Sequence, residues 1–114
     1  MNQSPQFRAK PYIESDKSNQ ERAKQLALVE ETIMVRLTHL GAPFITPVEI
    51  APMLGIVPDS VRYHCRNCRA IKNWKTGWKF FLDDPEHVVA LRAVVHLVVW
   101  SVKSLPEDLR PKIH

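Results

Sequence analysis

At 114 residues, with 45% hydrophobic content and a formal charge of +4, the chain can close one ordinary hydrophobic core but not two. No N-terminal segment combines a basic start, an apolar run and a small-residue cleavage site, so a secretory route is unsupported and the cytoplasm is the expected compartment. The most apolar stretch, residues 88–105, is broken by Arg92, His96 and Lys103 and falls short of the ~20 apolar residues a bilayer core demands, so no membrane span is expected, nor a membrane partner.

Residues 1–17 are polar, contain Pro5 and Pro11 and show no sustained period, the composition of a flexible arm. Ser18 with Glu21 forms a capping-box pattern. Leu26, Val29, Ile33, Leu37 and Leu40 follow at steps of three and four, and Gly41 can supply a left-handed C-cap. Pro43, Phe44 and Ile45 make a short extended connector. Thr46 and Glu49 form a second capping box, with Pro47 at the first position of a helix that runs to about residue 54, where Gly55 breaks it. Pro58 opens a third helix reaching residue 68 or 69, here taken as 58–69.

Residues 71–75 and 78–82 are aromatic-rich strand patterns joined through Thr76 and Gly77, the composition of a tight hairpin. Asp84 then caps a last helix over 85–105, with Pro85 at its first position and Pro106 ending it. Val88, Leu91, Val95, Val98, Val102 and Leu105 mark one face of that helix, and Val89, Ala93 and Trp100 begin another. A helix apolar on most of its circumference needs two burial partners, and a second copy of the same helix in a homodimer is one expectation. The domain is thus expected over 18–105, mainly α with a small β-hairpin, followed by a flexible tail over 106–114.

Charge is concentrated between residues 62 and 79. That run holds Arg62, Arg66, Arg69, Lys72, Lys75 and Lys79 and no Asp or Glu, leaving 10 basic against 12 acidic residues elsewhere. A surface that neutralises phosphates needs such a concentration, because each Lys or Arg that meets a phosphate releases condensed counterions. Within the third helix, Val61, Cys65 and Cys68 occupy one face at i, i+4 and i+7, while Arg62, Arg66 and Arg69 repeat that spacing one step round.

The order helix, short strand, helix, tight turn, helix, hairpin, helix resembles the winged helix-turn-helix superfamily of DNA-binding proteins, including the winged modules of excisionases and the MerR group. Residues 46–82 carry the resemblance. Thr46, Glu49, Ile50 and Ala51 match the opening of the first motif helix, Leu54 and Gly55 the turn, and Ser60, Val61, Arg62 and Tyr63 the early recognition helix. Two positions depart from the pattern: no glycine follows the recognition helix near residues 68–70, and Trp78 follows Gly77 where the wing often has arginine.

The resemblance implies a non-enzymatic protein that binds double-stranded DNA sequence-specifically, as a dimeric transcriptional regulator. Ser60, Arg62, Tyr63, Arg66 and Asn67 would enter or flank the major groove, and Arg69, Lys72, Lys75, Thr76 and Lys79 would anchor phosphates through the helix end and the wing. No cofactor or metal is expected. His64, Cys65 and Cys68 fit a core role better than a metal site, since no second Cys or His pair completes a tetrahedron, and Cys65 and Cys68 lie at the wrong helix end for a redox motif. Trp74, Trp78, Phe80 and Phe81 have a base-stacking reading, but alternate members of a hairpin face the core. A phage recombination or packaging factor uses the same kind of module, and RNA in place of DNA stays open. The alternative from another class is an adaptor that docks a larger complex through the valine-rich last helix.

Overall fold

The structure, a computed structural model, describes residues 3–71, 74 and 77–109, with side chains from residue 19 onward. It is mainly helical, with a small two-stranded antiparallel sheet. Four α-helices, α1 (Gln3–Thr38), α2 (Pro47–Met53), α3 (Pro58–Asn67) and α4 (Pro85–Ser101), accompany strands β1 (Phe44–Ile45) and β2 (Phe80–Phe81). Among the described residues no helix is long and apolar enough to cross a membrane.

Helix starts follow the local chemistry. At α2 the Thr46 hydroxyl accepts from the Val48 amide at 3.2 Å while the Glu49 carboxylate accepts from the Thr46 amide at 2.6 Å, which satisfies donors that the first turn would leave bare. Such a cap contributes about 1 kcal/mol. Asp84 caps α4 by accepting from the Glu86 amide at 2.9 Å. Stops follow too, since Gly41 and Gly55 take the positive φ values, 75° and 67°, that turn the chain after α1 and α2. A Cβ on Gly55 would also meet the Pro106 ring at 3.7 Å, so the C-terminal segment packs directly on this turn.

Helix α1 runs further toward the N-terminus than its pattern implied. Residues 3–17 continue the helix where an irregular arm was expected, and Ser18 lies within α1 rather than capping it. Propagating an existing helix needs no new nucleus, and the Gln, Lys, Arg and Glu residues of this segment favour it.

The hairpin expectation is corrected in its pairing. Strand β2 does arise from its second arm, but its antiparallel partner is β1, with Phe44 opposite Phe81 and Ile45 opposite Phe80. Arg69–Ile71 is a 3-10 turn and Trp74 lies in no strand. Trp74 instead packs on Phe80 and on His87, with ring centroids 5.3 and 4.7 Å apart, so packing takes the aromatic residue that pairing was expected to use. Lys72, Asn73 and Lys75 of the expected first arm and Thr76 of its turn lie outside the described residues.

One buried cluster holds these elements together, drawing on Leu26, Val29, Ile33 and Leu37 of α1, Ile50 and Ala51 of α2, Val61 and Cys65 of α3, Phe80 of β2, and Leu91, Val94, Val95, Val98 and Val99 of α4. Helix α1 packs along α4. Across their seam Glu30 accepts from Trp100 Nε1 at 2.8 Å and from His96 Nδ1 at 2.9 Å, and Arg92 pairs with Glu31 at 2.8 Å. Helix α1 is therefore one burial partner of α4. Of the second face read from the sequence, Val89 and Trp100 are exposed and Ala93 is half-buried.

Helix α4 also stops four residues short of the expected end. Val102 turns extended, with ψ 128°, and the chain folds back so that Leu109 is buried and Asp108 pairs with Arg36 of α1 at 2.8 Å. The segment 106–109, expected as part of a tail, is thereby tied to the body.

Candidate nucleic-acid interface

Helix α3 is positioned by its own apolar stripe. Val61 and Cys65 are fully buried and Cys68, just past the helix end, is 4% exposed. With ~3.6 residues per turn, burying that stripe forces the opposite side outward. Tyr63 crowns it, 57% exposed, its ring edge-on to His64. Arg66 and Asn67 are exposed beside it, and Arg62 is half-buried.

The side chains on this face are partly pre-ordered. Arg62 donates to Asp59 one turn earlier at 2.6 Å, so the first arginine of the stripe carries a local counter-charge that a count beginning at residue 62 leaves out. An exposed i, i+3 pair of this kind contributes at most about 1 kcal/mol. Asn67 Nδ2 donates to the Tyr63 carbonyl at 2.9 Å, which turns the amide back onto its own helix. Arg66 and exposed Arg69, on the 3-10 turn, have no carboxylate partner among the described residues.

Lys79 sits apart from α3 in sequence, immediately before β2, its ammonium 5.1 Å from the centroid of the Phe44 ring. Lys72, Lys75 and Thr76 lie outside the described residues. Ser60 and Tyr63 line an open groove of about 580 Å³ with His64, against residues 101–104 just beyond α4. Ser101, Lys103 and Ser104 were not among the residues singled out from the sequence. They were read as the end of a buried helix, and only the early stop of α4 brings them beside α3.

Partial burial holds the His64 pKa below its ordinary value, so the ring is neutral near pH 7 and offers hydrogen bonds rather than charge. Burial, reinforced by neighbouring Cys68, pushes the Cys65 thiol up to about 12 against the opposing pull of Arg66 and Arg62. In the unfolded chain that thiol ionises near ~8.5, so above this pH the unfolded state holds fewer protons than the fold. Stability present below ~8.5 is consequently lost as pH climbs toward the folded value, by at most ~1.4 kcal/mol per pH unit. Cys65→Ala is expected to shallow this alkaline loss in denaturant melts. The same burial predicts that a thiol reagent at pH 8 labels Cys65 and Cys68 only after denaturation; equal labelling rates in folded and unfolded protein would contradict it.

Compared with known proteins, the chain matches no family model, no curated protein and no solved structure.

Proposed function

We propose that this protein is a non-enzymatic, sequence-specific binder of double-stranded DNA, built on the winged helix-turn-helix plan and acting as a transcriptional regulator, with α3 as its recognition helix. The observation that carries the reading is the division of α3 and the turn after it into a buried side, Val61 and Cys65 with Cys68 just beyond the helix, and a basic outer surface, Tyr63 and Arg66 with Arg69 on the 3-10 turn. An α-helix 10–12 Å across fits a major groove about 12 Å wide, so an exposed helix of this kind can bring its side chains to base edges. Arg66 is suited to guanine edges, Asn67 to adenine once it leaves the Tyr63 carbonyl, and Arg62 and Arg69 to the flanking phosphates. The antiparallel pairing of β1 with β2 supports the same plan, since it braces the segment after α3 against the body and carries Lys79 there.

Titration of mixed-sequence duplex DNA at several salt concentrations tests the reading. Wild type is expected to bind with log K falling linearly in log salt. Arg66→Ala is expected to lose about 1–3 kcal/mol, and Arg62→Ala less, because Asp59 already holds that guanidinium. Absence of binding even at low salt would end the proposal. Unchanged affinity and salt slope in both variants would move binding to another surface.

A further inference from the structure

Helix α3 has two flanks. On α3 the arginines at 62 and 66 lie to one side of Tyr63, and Ser60 and His64 lie to the other. That second flank forms one wall of the groove of about 580 Å³, and Ser101, Val102, Lys103 and Ser104 form the facing wall. Ile56 and Asp59 complete the lining, and the Asp59 carboxylate is held by Arg62 at 2.6 Å. Exposed Lys103 is the one formal cation of the lining, and it has no carboxylate partner among the described residues.

A duplex that receives a helix in its major groove presents a phosphate strand along each side of that helix. The arginine stripe accounts for one strand only. We propose that the groove between α3 and residues 101–104 is a second phosphate site, where Lys103 neutralises a backbone phosphodiester of the opposite strand and the Ser60 and Tyr63 hydroxyls donate to its oxygens. Ser60, expected from the resemblance to enter or flank the major groove, thereby takes a backbone-positioning role. The Ser101 hydroxyl is engaged with the Val98 carbonyl at 2.8 Å, so it shapes the wall rather than reaching the ligand. The chain reversal at Val102 acquires a role: a helix continued to residue 105 would carry Lys103 along the α4 axis, whereas the extended backbone sets it across from Ser60.

This inference rests on the duplex-binding reading, and its test separates the two. Lys103→Ala is expected to keep the wild-type melting temperature, weaken binding to all duplex sequences alike and lower the magnitude of the salt slope by about 1. Lys103→Arg is expected to restore the slope. If wild type fails to bind DNA, the proposed function falls and the site falls with it. If Arg66→Ala weakens binding while Lys103→Ala keeps the wild-type slope, the second site alone is overturned. Adenosine monophosphate supplies the remaining arm: saturable binding below millimolar concentration that Lys103→Ala abolishes, with the DNA slope unchanged, would make the groove a site for a free phosphate compound and overturn the backbone assignment.

Discussion

Phe80→Ala is expected to destabilise the fold by about 3–5 kcal/mol, the range for deleting a buried aromatic ring. Phe80 is fully buried, it is the largest such side chain described, and it lies between β1, the Trp74 ring and α4. Its removal leaves a cavity where the sheet meets α4, so the surrounding side chains lose contacts that partial collapse does not replace. Total stabilities of small domains run to about 5–15 kcal/mol, so the variant should unfold at far lower denaturant concentration.

Its neighbour provides the contrast. Phe81 is 40% exposed and meets Phe44 directly across the sheet, with ring centroids 5.4 Å apart. Such cross-strand pairs contribute roughly 0.2–1 kcal/mol, and Phe81→Ala should cost no more than about that. A one-residue slip of β2 against β1 would exchange the two side chains between core and solvent. Equal destabilisation by the two variants, measured as denaturant midpoints, would therefore contradict the register.

The double reversal Arg66→Glu with Arg69→Glu is expected to weaken duplex DNA binding by on the order of a hundredfold or more at low salt and to reduce the salt slope by about 2. Each replacement removes a cation that can displace a condensed counterion and sets a carboxylate against the phosphates. Both positions are exposed and neither forms an ion pair among the described residues, so folding stability should change little. Far-UV circular dichroism and thermal melting identical to wild type would keep a binding loss attributable to the interface.

Local chemistry made much of this fold legible. Thr46 with Glu49, Asp84 with Pro85, and the two left-handed glycines act within four residues of themselves, and the helix starts and stops they set formed where the patterns placed them. The stripe Val61, Cys65 and Cys68 was legible for a related reason: helical spacing assigns it to one face, and the core needs that face.

Long-range partners were harder to read. The pairing of β2 with β1 joins Phe44 to Phe81 and Ile45 to Phe80, far apart in the chain, through two-residue strands too short for any alternation to declare them. The apolar breadth of α4 announced that it needs burial partners, but hydropathy does not name α1 as one of them, and Val89 and Trp100 stay exposed. Glu30, which takes the Trp100 and His96 donors, and Glu31, which takes Arg92, supply that answer only in three dimensions.

At the interface, the arginine stripe was legible as a spacing while its local neutralisation by Asp59 was not, because the acid lies three residues before the run begins. Lys103 was noted only as a break in the apolar stretch, not as an interface residue, for the opposite reason. It interrupts a valine-rich run that reads as core, and it comes beside α3 only because Val102 leaves the helix.

Amide chemical-shift mapping by NMR during titration with duplex DNA tests the central claim most directly. The expected result is a contiguous set of shifted signals over residues 59–69 and around 101–104, with the outer face of α1 about Leu28 and Val35 unmoved. Shifts concentrated on that α1 face, or no shifts at low salt, would contradict α3 as the nucleic-acid-binding element.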